Sequence, residues 1–164
     1  MCENAHVMRY RVCYGDTDRM GRVYYANYLV FAERARTEYL RDAGYPYLAV
    51  EADGLAMPVR QCHVRYHAPA FYDDELELRS RAVARTHAAV TVETVVIRPP
   101  EDATLAVISV ELACVDQERG RPQPLSERLL DALGRYAAPS WERKTPKNFK
   151  KLSRIPFILK ETGR

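Results

Sequence analysis

One uninterrupted helical stretch constrains this chain more than any other feature. Residues 25–43 contain neither proline nor glycine, and Tyr28, Phe31, Ala32, Ala35 and Tyr39 recur at helical spacing, while Glu33, Arg34, Thr37, Glu38 and Arg41 fall on the other face. Gly44 supplies the stop. The apolar stripe is wide and rich in aromatics, so the helix is expected to lie against a sheet. On both sides of it the chain reads with period two. Residues 8–14 place Met8, Tyr10, Val12 and Tyr14 on one side and Arg9 and Arg11 on the other. Residues 46–53 fit a short second helix, and three or four long strands follow from Leu55 onward. The clearest spans residues 75–83, where Leu76, Leu78, Ser80 and Ala82 alternate with Glu75, Glu77, Arg79 and Arg81. Residues 88–98 and 104–116 come next, joined through Pro99, Pro100, Glu101 and Asp102, and residues 126–136 form a last helix capped by Ser126. Strands on short links favour antiparallel pairing, and a lone long helix after the first strand gives an α+β layer, not alternating βαβ units.

At 164 residues the chain is expected to form one domain, and a chain of this size buries roughly 68–70% of its unfolded surface. The only clear shift in composition follows Pro139, which predicts a domain over residues 1–140 and a tail over residues 141–164. The tail holds eight Lys or Arg against two Glu, a charge of +6 that leaves −3 on the body out of the total of +3. Cys2, Cys13, Cys62 and Cys114 are widely separated and form no CxxC pair, so they read as reduced, mostly buried thiols, without zinc or redox spacing. Residues 1–15 mix Glu3, Arg9 and Arg11 with apolar positions, which argues against a signal peptide or membrane span and predicts a cytoplasmic protein.

The chemistry-bearing segment lies between the first strand and the long helix. Asp16-Thr17-Asp18 places two carboxylates just ahead of a helix start. There, unpaired backbone N–H groups and a partial positive charge can polarise a carbonyl and stabilise an oxyanion. Asp18 is placed to supply or activate the attacking nucleophile.

Tyr14, Asp16-Thr17-Asp18, Gly21, Val23-Tyr24, Asn27-Tyr28, Phe31, Glu33 and Ala35-Arg36, followed by Tyr66, Ala68-Pro69-Ala70, Asp73 and Leu76, together form a specific signature. Over roughly residues 9–136 the chain resembles the hotdog thioesterases related to 4-hydroxybenzoyl-CoA thioesterase, including the acyl-CoA thioesterases associated with the Tol-Pal system. The resemblance implies an antiparallel sheet wrapped around one helix, dimers that pair into tetramers, and active sites at subunit interfaces. It also implies that Asp18 is the catalytic carboxylate and that the backbone N–H near Tyr25 polarises the thioester carbonyl. Many Tol-Pal relatives carry His where this chain has Tyr25, whereas the hydroxybenzoyl branch has Tyr. Val59, Arg60 and Gln61 align with a part of the family that reaches the neighbouring subunit's pocket. The implied reaction is hydrolysis of an acyl-CoA to free acid and coenzyme A, with coenzyme A phosphates held by surface Lys or Arg and with no cofactor.

Each site residue has a plainer reading. Asp18 could be a turn or capping aspartate, but the full signature favours catalysis. Asp16 reads as a loop-holding residue. Tyr24, Tyr25 and Asn27 suit a wall around the thioester as well as they suit packing and capping. Glu33 and Arg36 fit a helical ion pair, and Cys62, His63 and His67 have no partner at a defined spacing for nucleophilic catalysis. A metal site would want further oxygen ligands. Two rival functions remain: a hotdog dehydratase, which needs a His and acid pair where this chain has Tyr25, and a non-catalytic acyl-CoA-binding module. Trp141 and the residues after it surround apolar positions with basic ones. They read as a solvated or docked tail, or as a recruiter of coenzyme A phosphates, acidic acyl carrier protein or an anionic membrane surface. No nucleic acid partner is expected.

Overall fold

The computed structural model describes residues 4–139 and 141. Strand β1 (His6–Arg11) leads through a single 3-10 turn at Tyr14–Asp16 to helix α1 (Asn27–Asp42). There follow α2 (Tyr47–Ala52), β2 (Leu55–Ala56), β3 (Val59–Tyr66), β4 (Glu75–Arg85), β5 (Ala89–Arg98), β6 (Ala103–Ala113), β7 (Val115–Asp116) and α3 (Glu127–Gly134). Five strands form one antiparallel sheet in the order β1-β4-β5-β6-β3, and β2 pairs with β7 beside it. This is the hotdog arrangement, an α+β fold with the sheet curved around α1.

The helix buries the face its spacing predicts. Tyr28, Phe31, Ala32, Ala35 and Tyr39 are all buried, joined by Leu40. Across from them β4 contributes Leu76, Leu78, Ser80 and Ala82, each fully buried, and the Ser80 hydroxyl bonds that of Thr94 on β5 at 2.8 Å. Fully burying a side chain such as Leu78 is worth about 1.5–3 kcal/mol, so this two-layer contact dominates the stability of the domain. Gly44 ends α1 with a φ of 84°, its N–H donating to the Arg41 carbonyl at 3.0 Å. The Ser126 hydroxyl caps α3 by accepting from Leu129 N at 3.2 Å.

Three readings of the sequence need correction. The first strand, expected to run to Tyr14, stops at Arg11, and Tyr14 is 81% exposed because the chain has already turned into the 3-10 segment. No ion pair joins Glu33 to Arg36; the helix pair forms one turn later between Glu38 and Arg41. Cys13 and Cys62 are exposed, since one sits in a loop and the other on an edge strand open on both faces; of the described cysteines Cys114 is the buried one.

The sheet face away from α1 is charged rather than apolar. Arg79 bridges Glu77 and Asp102 at 2.7 and 2.9 Å, Arg81 meets Glu93 at 2.7 Å, and Arg60 meets Glu111 at 2.9 Å. The aliphatic stems of these arginines cover the strands while their heads stay paired in solvent. Edge strand β3 differs, because seven of its eight residues are exposed and only Val64 is partly covered. Beyond α3 the chain stays on the domain: Ala138 N donates to Ala82 O at 2.8 Å, and the Trp141 ring lies under the Arg85 guanidinium at 4.9 Å. Residues 142–164, most of the expected basic tail, lie outside the described residues.

Candidate active site

The Asp-x-Asp segment folds as a tight hairpin over residues 16–24. Thr17 bridges Val23, and Asp18 N donates to Arg22 O at 2.8 Å. The turn is closed by Gly21 N to Asp18 O at 2.9 Å, with Gly21 at a φ of 70° that an L side chain adopts only under strain. The Asp18 side chain is half-buried, and its Oδ1 accepts from Met20 N at 2.8 Å. One carboxylate oxygen therefore fixes the rotamer of Asp18, and Oδ2 is left for other work.

Asp16 is the anchor of the hairpin. Its Oδ2 accepts from the Tyr10 hydroxyl at 2.7 Å and from Cys13 N at 2.8 Å, and its carbonyl accepts from Tyr24 N and Asn27 Nδ2, both at 2.9 Å. The loop-holding role read for Asp16 is what these bonds perform. Asn27, the first residue of α1, is thereby tied to the residue two before Asp18.

The helix mouth lies directly beside this hairpin. Asn27 N donates to Tyr24 O at 2.9 Å, whereas the Tyr25 N–H meets no acceptor among the described residues. The Tyr25 carbonyl accepts from the Tyr66 hydroxyl at 2.8 Å, so the last residue of β3 fixes the orientation of that peptide. Ala70, fully buried, grips both sides of the opening: its carbonyl accepts from Val23 N at 2.9 Å and its N–H donates to Tyr28 Oη at 3.2 Å. Burial pushes the Tyr28 and Tyr66 phenols above their ordinary values, and their rings meet edge to face at 5.4 Å.

Tyr24 and Tyr25 are 42% and 62% exposed, with ring centroids 4.6 Å apart. The Tyr24 phenol is pushed up, first by its hydrogen bond with Tyr25 and by charge repulsion from that residue, then by desolvation and by Asp18. Exposed Met20, Phe71 and Tyr72 belong to the same loops. Asp18 lies in the hairpin, Tyr24 is near enough to feel its charge and packs on Tyr25, and Asn27 starts the helix that follows. Val59, Arg60 and Gln61 do not join them in this chain. They start β3, whose other end carries Tyr66, and seven strand steps separate Val59 from Tyr66 by about 23 Å. Sequence reasoning assigned no site role to Tyr10, Tyr66 or Ala70. Tyr66 and Ala70 offered a signal, as members of the family signature.

Among the described residues no group of three or more His, Cys, Asp or Glu could hold a metal ion, and no helix is long and apolar enough to cross a membrane.

Residues 12–133 match the thioesterase-like superfamily. The chain belongs to this family. It is 35% identical over 120 residues to the acyl-CoA thioester hydrolase YbgC of Escherichia coli O6:H1, an alignment covering 73% of this chain and 89% of that protein. Its identity to the acyl-CoA thioesterase YbgC of Haemophilus influenzae is 35% over 123 residues, covering 74% and 89% of the two chains. The crystal structure of the Dynemicin thioesterase superposes with a TM-score of 0.76 at 29% identity, over 82% of this chain and 99% of that one. The thioesterase relatives and the hotdog architecture agree with the resemblance read from the loop and helix residues.

Proposed function

We propose that this protein hydrolyses acyl-CoA thioesters, with Asp18 as the catalytic carboxylate. Two observations support the reading: the half-buried Asp18 carboxylate is held by Met20 N in the hairpin, and the Tyr25 N–H just before α1 meets no acceptor among the described residues. The thioester carbonyl oxygen accepts from Tyr25 N–H, and the dipole of α1 favours negative charge at that point. Asp18 either attacks the carbonyl carbon or takes a proton from a water that does so. In both routes the C–S bond breaks, coenzyme A leaves as the thiol after gaining a proton, and the acyl group leaves as the free acid. Tyr24 and Asn27 line the opening, and exposed Arg19 and Arg22 of the hairpin are suitable partners for coenzyme A phosphates. The dehydratase alternative loses ground because the hairpin holds no histidine.

The active form in this reading is a dimer, or a tetramer of paired dimers, in the cytoplasm. Strand β3 presents an uncovered edge with both faces open, an arrangement that favours antiparallel pairing with the same strand of a second copy. Such pairing lays the Val59 end of one strand beside the Tyr66 end of the other. That places Val59, Arg60 and Gln61 at the neighbour's helix mouth, which they cannot reach in their own chain. The charged outer face is self-paired, so the edge rather than that face supports association. For the basic tail the plainer reading is a solvated or docked segment, and recruitment of acyl carrier protein or an anionic membrane surface is the functional alternative to be tested.

The test is release of free thiol from a panel of short, long and aromatic acyl-CoA esters. Hydrolysis of at least one class by the wild-type protein, with loss in Asp18→Asn, supports the reading, and no release across the panel refutes it. Single turnover in ¹⁸O-water separates the two routes, because attack by Asp18 puts solvent oxygen into the protein before it reaches product.

A further inference from the structure

We infer that Tyr10 is a positioning residue of this active site, acting through Asp16 to set the separation between the Asp18 carboxylate and the Tyr25 N–H. The inference rests on the thioesterase reading of Asp18 and goes beyond it, since Tyr10 lies on β1 and touches neither proposed reacting group. The argument follows the bonds outward from Asp16. Its carboxylate accepts from the Tyr10 hydroxyl at 2.7 Å and from Cys13 N at 2.8 Å, which fixes the 3-10 turn to the sheet. Its carbonyl accepts from Tyr24 N and from Asn27 Nδ2, which fixes the residue before Tyr25 and the first residue of α1. Only Thr17 separates Asp16 from Asp18, and Thr17 is itself bridged to Val23. One residue therefore holds both halves of the site, and its side chain is held in turn by Tyr10.

Tyr10 is well fixed for this task. Its ring packs on Phe31 of α1 at 4.6 Å and lies under the Arg34 guanidinium at 5.3 Å. Burial, then the hydrogen bond to Asp16, pushes its phenol up to about 12, so the donated proton stays in place at any ordinary working pH. Tyr10→Phe keeps the ring and its packing and removes only the donor. Asp16 then keeps the Cys13 bond but can swing about it, and a displacement of about 1 Å at a reacting group can cost on the order of 100-fold in rate.

The experiment is steady-state hydrolysis by the full chain, using whichever acyl-CoA the wild type turns over, in Tyr10→Phe, Asp18→Asn and the double variant. We expect kcat of Tyr10→Phe to fall about 10-fold to 100-fold with KM within about threefold. In the Asp18→Asn background the same change should slow residual turnover less than about twofold, because the group being positioned has gone. Asp16→Asn, which weakens the acceptor side of the same Tyr10 bond, is expected to show the same pattern, which keeps the test open if Tyr10→Phe fails to fold. A kcat within twofold of wild type overturns the inference. So does an equal loss in both backgrounds, which marks general damage to the fold. If Asp18→Asn itself turns over normally, the thioesterase reading of Asp18 falls, and the inference falls with it.

Discussion

Replacing Asp18 by Asn changes one charge and almost nothing else, and the geometry allows both consequences to be sized. Oδ1 of Asp18 accepts from Met20 N at 2.8 Å, and the amide oxygen of Asn can take the same bond. The hairpin bonds through Asp18 N and O are backbone bonds and are untouched. Stability should therefore move by no more than about 0.5 kcal/mol, the usual range for a partly exposed site whose hydrogen bond is kept. For a domain of this size that is a thermal midpoint shift of about 1–3 °C. Turnover is another matter, because an amide is neither a base nor a nucleophile of useful strength. We expect kcat to fall by about 100-fold to 10,000-fold, equivalent to roughly 2.7–5.4 kcal/mol of barrier. The assay is thiol release under saturating acyl-CoA, run beside a thermal unfolding curve on the same preparation. A folded variant with kcat within threefold of wild type would refute Asp18 as the catalytic carboxylate.

Two further outcomes follow from other parts of the molecule. Tyr45 is 1% exposed and donates to Asp53 Oδ2 at 2.6 Å, and burial followed by that bond pushes its phenol up to about 12. An unfolded tyrosine titrates near 10, so its contribution is complete below pH 10 and is lost as pH rises from about 10 to 12. Denaturant unfolding should show stability falling across that window by up to about 1.4 kcal/mol per pH unit from this residue, and less steeply in Tyr45→Phe; identical slopes refute the assignment. Deleting residues 142–164 removes the basic segment but keeps Trp141 on Arg85. The truncated protein should bind acyl carrier protein or anionic vesicles more weakly and with less salt dependence, with hydrolysis of a short soluble thioester unchanged; unaltered binding refutes recruitment by the tail.

Periodicity made most of the fold legible because most of its elements are buried on one face. The α1 stripe from Tyr28 to Tyr39 and the β4 alternation from Leu76 to Ala82 each bury one face and leave the other less covered, so pattern and burial coincide. Strand β3 was harder, since an open edge imposes no alternation, and Cys62 is exposed on the same strand as Val64. The end of β1 was missed because Val12 is buried while the chain is already leaving the sheet toward Tyr14. The proposed site residues Asp18, Tyr25 and Asn27 could be singled out because they lie within one short segment that carries most of a family signature. Tyr10, Tyr66 and Ala70 were not assigned, because their roles depend on bonds to residues 6, 41 and 42 positions away.

In the proposed dimer, strand β3 would link catalysis to assembly. Tyr66 at one end bonds the Tyr25 carbonyl of its own chain, and Val59, about 23 Å away at the other end, is proposed to serve a second copy. A site built from two chains predicts complementation between two inactive variants. Asp18→Asn lacks the carboxylate but has an intact strand start. Val59→Ala combined with Gln61→Ala lacks the strand start, keeps Asp18, and leaves the Arg60–Glu111 pair at 2.9 Å undisturbed. When equal amounts are unfolded and refolded together, about half the dimers are mixed, and each mixed dimer has one site with both intact contributions. Activity should therefore return to about a quarter of the wild-type value per chain, and it should fall again on dilution below the dimer dissociation constant. Activity of the mixture equal to the mean of the two variants alone would mean that Val59 and Gln61 do not act across the interface.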